Sequence, residues 1–202
     1  MTDTETEKQK LNNVCQPSLH KDLVSGNCVF AECKWESIKH LFLQYHYLKK
    51  MPAGIMACYA LFDEKKLNSA IGGAVFCNGR IQYDKKYLEF SRLWMHDNYG
   101  CNTESWFIAK CMKALQKKFI TYEGVVTWAD GGIGHNGTVY RAANFVYDGD
   151  SRKVKKYMGK NKKVIFQRTA TASSICIGED VPKKRFIYYF DAKKREQLKN
   201  IK

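Results

Sequence analysis

The chain has 202 residues, 45% of them hydrophobic and 13% aromatic, which is enough apolar material for one folded domain and excludes a wholly disordered protein. No apolar run approaches the roughly 18 residues of a transmembrane helix, and the polar, acidic start does not resemble a signal peptide. We therefore expect a cytoplasmic protein with no membrane partner. Eight cysteines are too dilute at this length for a secreted disulfide scaffold, which favours reduced thiols.

The positive charge is concentrated in the last quarter of the chain. The formal net charge is +14, and residues 150–202 contribute +11 of it through 16 basic and 5 acidic side chains. A polyanion is the natural partner of such a segment, and nucleic acid fits better than a membrane surface. The alternative is a solvated basic tail that only keeps the protein soluble.

The chain is predicted to form an N-terminal extension over residues 1–33, partly disordered, followed by a single domain over residues 34–202. Within the extension, the spacing of three cysteines and one histidine fits no familiar zinc site, so buried or free thiols are the better interpretation. These residues are Cys15, His20, Cys28 and Cys33.

The domain is predicted to begin with an amphipathic helix over residues 34–50. It must end before Pro52, because proline disfavours helical geometry at the preceding residue. His46 and Tyr47 would then lie in or just after its last turn. At a helix end such residues are usually an exposed edge.

Three strands are predicted next, in residues 56–66, 69–80 and 87–95. Alternation along the third strand places four side chains on one of its faces. They are Leu88, Phe90, Arg92 and Trp94.

A helix over residues 106–119 and a strand over residues 123–130 follow. A strand–helix–strand crossover makes residues 87–95 and 123–130 parallel neighbours, which predicts a mixed α/β fold. A short helix and two strands in strongly basic sequence complete the pattern. Ligands of open α/β sheets bind at the carboxyl ends of the strands, here residues 94–97 and 128–135.

The densest cluster of unusual residues follows the strand at 123–130. Asp130 closes this strand and precedes a loop with four glycines in seven residues, which suits a general base or a metal ligand. A turn-forming aspartate is the alternative. Tyr140 begins the next helix.

Arg92 and Ser105 are candidate anion-binding residues. A buried Arg92 needs a carboxylate or an anionic ligand, and Ser105 lies in the first turn of a helix, where free amides bind anions.

Three segments together resemble the Mom-type DNA-modification proteins of bacteriophages, which are divergent members of the GNAT (Gcn5-related N-acetyltransferase-like) fold. The segments are SRLWM, NTES-x-FIAK and VVTWAD-x3-GHNGTVYRAANF, supported by HYL at 46–48 and GGAVF at 72–76. The resemblance covers roughly residues 40–150. It implies an α/β, GNAT-like mixed central sheet flanked by helices, here with a basic C-terminal strand extension.

The resemblance also implies an activity. Such a transferase would use a small-molecule donor to place a carbamoylmethyl (acetamido) group on N6 of adenine in double-stranded phage DNA. In the host bacterial cytoplasm this would protect the DNA from restriction. By motif, the catalytic residues would be Tyr47, Arg92, Ser105, Asp130 and Tyr140, with Arg92 and Ser105 holding the donor. The resemblance makes iron a possible cofactor, with His46, Tyr47 and Asp130 as ligands.

Phosphate contacts are expected from the basic C-terminal quarter. The candidate DNA-binding residues there are Lys153, Lys155, Lys156, Lys162 and Lys163.

Two other functions compete with DNA modification. One is an acyl-CoA-dependent N-acyltransferase acting on a protein or small-molecule amine. Residues 96–105 depart from the glycine-rich turn that holds the CoA pyrophosphate in such enzymes, so the use of acetyl-CoA or a related donor is an open choice. The other is a nucleic-acid-binding protein without catalysis, against which the cluster of Arg92, Ser105, Asp130 and Tyr140 argues.

Overall fold

The computed structural model describes residues 28–79, 86–100, 102–153, 155–158, 164–166, 171 and 173–199. The expected disordered N-terminus, with Cys15 and His20, lies outside these residues. Lys162 and Lys163, two of the five candidate DNA-binding lysines, also lie outside them.

A seven-stranded sheet forms the centre of the fold. Its strands, numbered in chain order, are β1 (Cys28–Glu32), β2 (Ile55–Asp63), β3 (Lys66–Cys77), β4 (Tyr87–Met95), β5 (Gly124–Ala129), β6 (Val146–Asp150) and β10 (Lys184–Tyr189). They lie in the order β1-β2-β3-β4-β5-β10-β6, and every neighbouring pair is antiparallel except β4 and β5. The mixed α/β sheet expected from the sequence is confirmed. β1 pairs with β2, so the sheet begins inside the segment assigned to the N-terminal extension.

Helices cover both faces of this sheet. They are α1 (Trp35–Gln44), α2 (Thr103–Lys118), α3 (Thr138–Ala142) and α4 (Ala192–Lys199). On one face α1 packs over β2, β3 and β4, while α4 packs over β6 and β10. The largest apolar cluster joins α2 to the other face through Phe107, Ile108, Met112 and Leu115, all fully buried. None of the helices in the described ranges is long and apolar enough to cross a membrane.

The central strands β4 and β5 are paired over only part of their length. Their parallel register joins Tyr87–Glu89 to Gly124–Val126. One residue further on, the Thr127 hydroxyl donates to the Phe90 carbonyl at 3.1 Å, which replaces a backbone bond. Beyond this point the two strands form no ladder, and both contribute residues to cavities at their carboxyl ends.

A β-bulge in β4 changes which side chains share a face. Arg92 pairs with Val75 and Phe90 pairs with Phe76, so Ser91 is an extra residue in the ladder. Such a bulge reverses the alternation of the strand. Phe90 therefore stacks on Phe76 in the α2-side core, whereas Trp94 packs with the α1-side cluster. The prediction of a single face for Leu88, Phe90, Arg92 and Trp94 is wrong for this reason.

The basic C-terminal quarter is divided between two sheets. Strand β10 lies next to β5 in the main sheet. Three further strands, β7 (Lys155–Met158), β8 (Val164–Phe166) and β9 (Ile175–Glu179), form a small antiparallel sheet in the order β8-β7-β9. Part of this quarter is thus core structure and part is an exposed extension.

Candidate active site

Two cavities lie at the carboxyl ends of β4 and β5. The first, which we call the acidic cavity, has a volume of about 710 Å³ and is lined by residues from β4, the start of α2, and the segment 133–142. Its charged lining residues, among those described, are Asp97 and Glu104. Six aromatic residues line it as well: Tyr45, Tyr47, Phe90, Trp94, Trp128 and Tyr140.

The second, which we call the basic cavity, has a volume of about 730 Å³ and is lined by both sides of the gap between β4 and β5 and by residues around the small sheet. Its cationic lining residues are Arg92, Arg152, Lys183 and Arg185, and its acidic ones are Glu89, Asp150 and Asp180. Four residues line both cavities: Tyr47, Phe90, Ser91 and Trp128. The two spaces therefore meet across the gap between β4 and β5.

Asp130 is held on two sides at the end of β5. Its Oδ1 accepts a hydrogen bond from the Gly132 amide at 3.1 Å, which caps a short 3-10 turn over Gly131–Ile133. Its Oδ2 forms an ion pair with Lys183 Nζ at 2.6 Å. The carboxylate is thus both the turn-forming group considered from the sequence and the partner of a basic-cavity lysine. Lys183 is itself fixed, because its amide donates to the Ser151 hydroxyl and its carbonyl accepts from the Ser151 amide, both at 2.8 Å.

His46 and Tyr47 lie just after α1, as the proline position predicts. Their rings stack at 4.5 Å, and the Tyr47 ring meets His135 edge-on at 5.9 Å. Tyr47 is half exposed, and its partial burial raises the pKa of its hydroxyl. The positive charges of Lys183 and Arg92 lower this pKa, whereas the negative charge of Asp130 raises it further. The expectation of an exposed edge is wrong for His46, which is only 8% exposed.

Arg92 lines the basic cavity and is held by main-chain oxygens. Its guanidinium donates to the Lys50 carbonyl at 3.3 Å and to the Ser91 carbonyl at 2.6 Å. Ser105 lies in the acidic cavity, where its hydroxyl donates to the Asn102 carbonyl at 3.1 Å. Arg92 and Ser105, expected to hold the donor together, therefore line different cavities.

Tyr140 lines the acidic cavity from α3. Its ring packs at 5.8 Å from that of Phe186 and edge-on at 5.9 Å from that of Phe90. Burial raises the pKa of its hydroxyl, and a hydrogen-bonding contact with Thr127 opposes the increase. Tyr140 is therefore a protonated hydroxyl near the point where β4 and β5 separate.

The residues expected to bind iron are engaged by other groups in the structure. Both carboxylate oxygens of Asp130 already have partners, Gly132 and Lys183. His46 Nδ1 accepts a hydrogen bond from the Leu48 amide at 3.1 Å, and the His46 ring stacks on Tyr47. Across the residues that the structure describes, no group of three His, Cys, Asp or Glu side chains is placed to hold a metal ion. The geometry therefore gives no support to iron, and we assign it no chemical step.

Several residues of the site carry no strong signal in the sequence. Lys183 and Arg185 belong to a basic run that leads into β10, and Glu89 lies inside β4 as a buried acid. The signal that identifies Lys183 is the register of β10 on β5, in which Lys184 lies opposite Ala129. This register brings Lys183 beside Asp130.

The low pKa of His46 predicts that the fold is less stable in acid. Burial, with the charges of Arg92 and His135, lowers the pKa of His46 from 6.5 to about 4. The unfolded chain takes up this proton below pH 6.5, whereas the folded chain resists it. Stability present above pH 6.5 is therefore lost as the pH falls towards 4, by roughly 3 kcal/mol from this group. Denaturant unfolding of wild type and His46→Asn between pH 7 and 4 measures the difference.

The exposed His40 on α1 is the matched control for this prediction. His40→Asn is expected to retain the pH dependence of wild type, and His46→Asn to lose most of it. Equal pH slopes in wild type and His46→Asn would contradict the assignment.

The fold is similar to that of solved GNAT acetyltransferases. The ribosomal-protein-S5-alanine acetyltransferase from Vibrio fischeri matches with a TM-score of 0.53 at 11% identity, over 82% of this chain and 94% of that one. The spermidine N-acetyltransferase from Vibrio cholerae, in complex with CoA and spermine, matches with a TM-score of 0.50 at 10% identity, over 81% of this chain and 95% of that one. At these identities the likeness shows the fold, and it confirms the GNAT-like architecture.

Sequence comparison identifies the family. The methylcarbamoylase Mom of Escherichia phage Mu is 35% identical over 66 residues, which are 33% of this chain and 27% of that protein. The match thus spans about a quarter of the length of this curated relative. A longer match, over residues 27–201, is to the Mom protein family as a whole. The chain therefore belongs to the Mom protein family.

Proposed function

We propose that this chain is a DNA-modifying transferase that places a carbamoylmethyl (acetamido) group on N6 of adenine in phage DNA. The support is membership of the Mom family, together with the name methylcarbamoylase carried by the phage Mu relative. Its place of action would be the host bacterial cytoplasm, and its biological effect the protection of phage DNA from restriction.

The observation that carries the proposal is the meeting of two cavities of opposite character across the gap between β4 and β5. The basic cavity, with four cationic and three acidic lining residues, suits the DNA backbone. The acidic cavity suits a small-molecule donor, and its volume of about 710 Å³ is that of a small-ligand site. A group passing from donor to DNA crosses at Tyr47 and Trp128, which line both spaces.

The aromatic residues at the crossing, together with Asp130 just beyond Trp128, have the chemistry that the acceptor requires. The lone pair of an adenine amino group is delocalised into the ring, so N6 is a weak nucleophile and its proton must be removed as the new bond forms. We assign that role to Asp130, which lies within electrostatic reach of the Tyr47 hydroxyl and is oriented by Lys183. Trp128 and Tyr47 offer aromatic faces to an adenine flipped from the stack. Tyr140, protonated, would donate a hydrogen bond to the donor.

The lining of the acidic cavity does not fit the pyrophosphate of CoA. Asp97 and Glu104 flank the start of α2, and among the described residues no Lys or Arg lines the cavity. Burial and the charge of Asp97 raise the pKa of the Glu104 carboxyl, so negative charge is already disfavoured there. A phosphate group would add to this repulsion. The proposed reaction therefore does not use CoA as its donor.

Nucleoside mass spectrometry tests the function. DNA from cells that express the protein would be hydrolysed to nucleosides, and we expect deoxyadenosine bearing a carbamoylmethyl group. An N6-acetyl product would favour the acyl-CoA-dependent N-acyltransferase instead. Only normal nucleosides, with soluble protein present, would contradict DNA modification.

Salt dependence tests the basic extension. Lys155 is exposed, whereas Lys153 pairs with Glu179 at 3.6 Å and Lys156 with Asp180 at 2.8 Å. We expect Lys155→Ala to weaken binding to all DNA sequences alike and to reduce the slope of log affinity against log salt by about 0.9. Fluorescence anisotropy with a labelled duplex at several salt concentrations measures this slope.

Two further variants complete the salt experiment. Lys113→Ala removes an exposed lysine of α2 that lines neither cavity, and is expected to leave the slope unchanged. Lys153→Ala is expected to have a smaller effect than Lys155→Ala, because Glu179 already offsets its charge. A wild-type slope in Lys155→Ala would exclude this strand from the DNA-binding surface.

A further inference from the structure

The acidic cavity has the electrostatics of a cation site. Asp97 and Glu104 line it from the β4–α2 connection and the first turn of α2, and in the described part of the lining no Lys or Arg opposes them, the other titratable bases being His46 and His135. The amides at a helix start ordinarily favour an anion, but here the fold places carboxylates at that end. Burial and, second to it, the charge of Asp97 raise the pKa of the Glu104 carboxyl, and a positive charge between the two carboxylates would favour their ionised forms.

The walls of the same cavity are aromatic. Tyr45 and Trp94 stack with ring centroids 4.9 Å apart at its edge, and Tyr140 lines it from α3. Aromatic faces attract cations that are poorly hydrated, such as sulfonium and quaternary ammonium groups. Carboxylates together with aromatic rings favour that class of ligand over a phosphate ester.

The transferred group points to the same class. A carbamoylmethyl group is attached through its methylene carbon, so its transfer to nitrogen is an alkylation. An acyl thioester transfers a carbonyl carbon and would leave an acetamide instead. Alkylation of a weak nucleophile requires a leaving group of low basicity, and a sulfonium provides one because it departs as a neutral thioether.

We propose that the acidic cavity binds a sulfonium alkyl donor, with its positive sulfur facing Asp97, Glu104 and the aromatic walls. This inference rests on the proposed function. The N6 lone pair forms the new bond to the methylene carbon, and the carbon–sulfur bond breaks with its electron pair going to sulfur. The N6 proton passes to Asp130, so no electron donor or acceptor is needed.

Calorimetric titration of the intact protein tests the donor class with three probes. S-adenosylmethionine carries a sulfonium, S-adenosylhomocysteine is the corresponding neutral thioether, and CoA carries phosphates. We expect the sulfonium to bind about tenfold more tightly than the thioether, and CoA more weakly than either. The double variant Asp97→Asn/Glu104→Gln is expected to lose most of the sulfonium preference.

A control double variant, Glu36→Gln/Glu64→Gln, makes the same change in charge at exposed positions outside the cavity and is expected to keep the preference. Equal binding of sulfonium and thioether, binding of neither, tighter binding of CoA, or an unchanged preference in Asp97→Asn/Glu104→Gln would each overturn the proposal. Mass spectrometry of DNA distinguishes failure of the sulfonium proposal from failure of the proposed function. Carbamoylmethylated adenine without sulfonium preference refutes the donor class alone, whereas sulfonium preference with unmodified DNA refutes the proposed function.

Discussion

Asp130→Asn is expected to reduce adenine modification by about 10²–10⁴-fold, the contribution typical of a general base, while duplex affinity stays close to that of wild type. The amide keeps the size of the carboxylate and can still accept from the Gly132 amide, so the turn after β5 should survive. What it loses is the negative charge that pairs with Lys183 and the capacity to take a proton. Quantitative nucleoside mass spectrometry and fluorescence anisotropy measure the two properties separately.

Two further variants distinguish proton transfer from positioning. Asp148→Asn breaks the ion pair between Asp148 and Arg185, which has the same length of 2.6 Å as the pair between Asp130 and Lys183. This variant is expected to retain most modification activity. Lys183→Met removes the cation that orients Asp130 and is expected to lose less activity than Asp130→Asn. If Lys183→Met and Asp130→Asn are equally impaired, Asp130 acts only by holding Lys183. Full activity in Asp130→Asn would remove it from the mechanism.

The central strand–helix–strand unit is predictable because its signals are local. Two apolar strands flank an amphipathic helix, and a crossover of this kind makes the strands parallel, as β4 and β5 are. Pro52 likewise limits α1, so that His46 and Tyr47 come just after the helix. These features depend on residues close together in the chain.

The remaining features of the site depend on pairing between distant segments. The bulge at Ser91 leaves no mark in composition, yet it turns Arg92 towards the basic cavity. The contact of Asp130 with Lys183 follows from the register of β10 on β5, which no local pattern encodes. Because of this bulge, Arg92 and Ser105, which lie on either side of the short β4–α2 connection, occupy different cavities.

The position of Tyr140 depends on a glycine that cannot be replaced without strain. Gly137 precedes α3 with a φ of +84°, and a Cβ built there would lie 2.3 Å from ring atoms of the fully buried Phe186. We expect Gly137→Ala to reduce the free energy of unfolding by about 2–4 kcal/mol, from backbone strain and forced movement of the ring. The melting temperature would fall by roughly 5–15 °C in a domain of this size, as scanning calorimetry can measure.

Gly134→Ala separates the clash from the strain. Gly134 has the same φ of +84°, but nothing lies within 4 Å of the Cβ position, so only the strain of about 1 kcal/mol applies. Because the rings of Phe186 and Tyr140 lie 5.8 Å apart, Gly137→Ala should also displace Tyr140 and lower modification at temperatures where the protein remains folded. Equal losses of stability in the two variants would mean that the Phe186 ring moves aside at no measurable cost in free energy. The packing beneath α3 would then not fix the position of Tyr140.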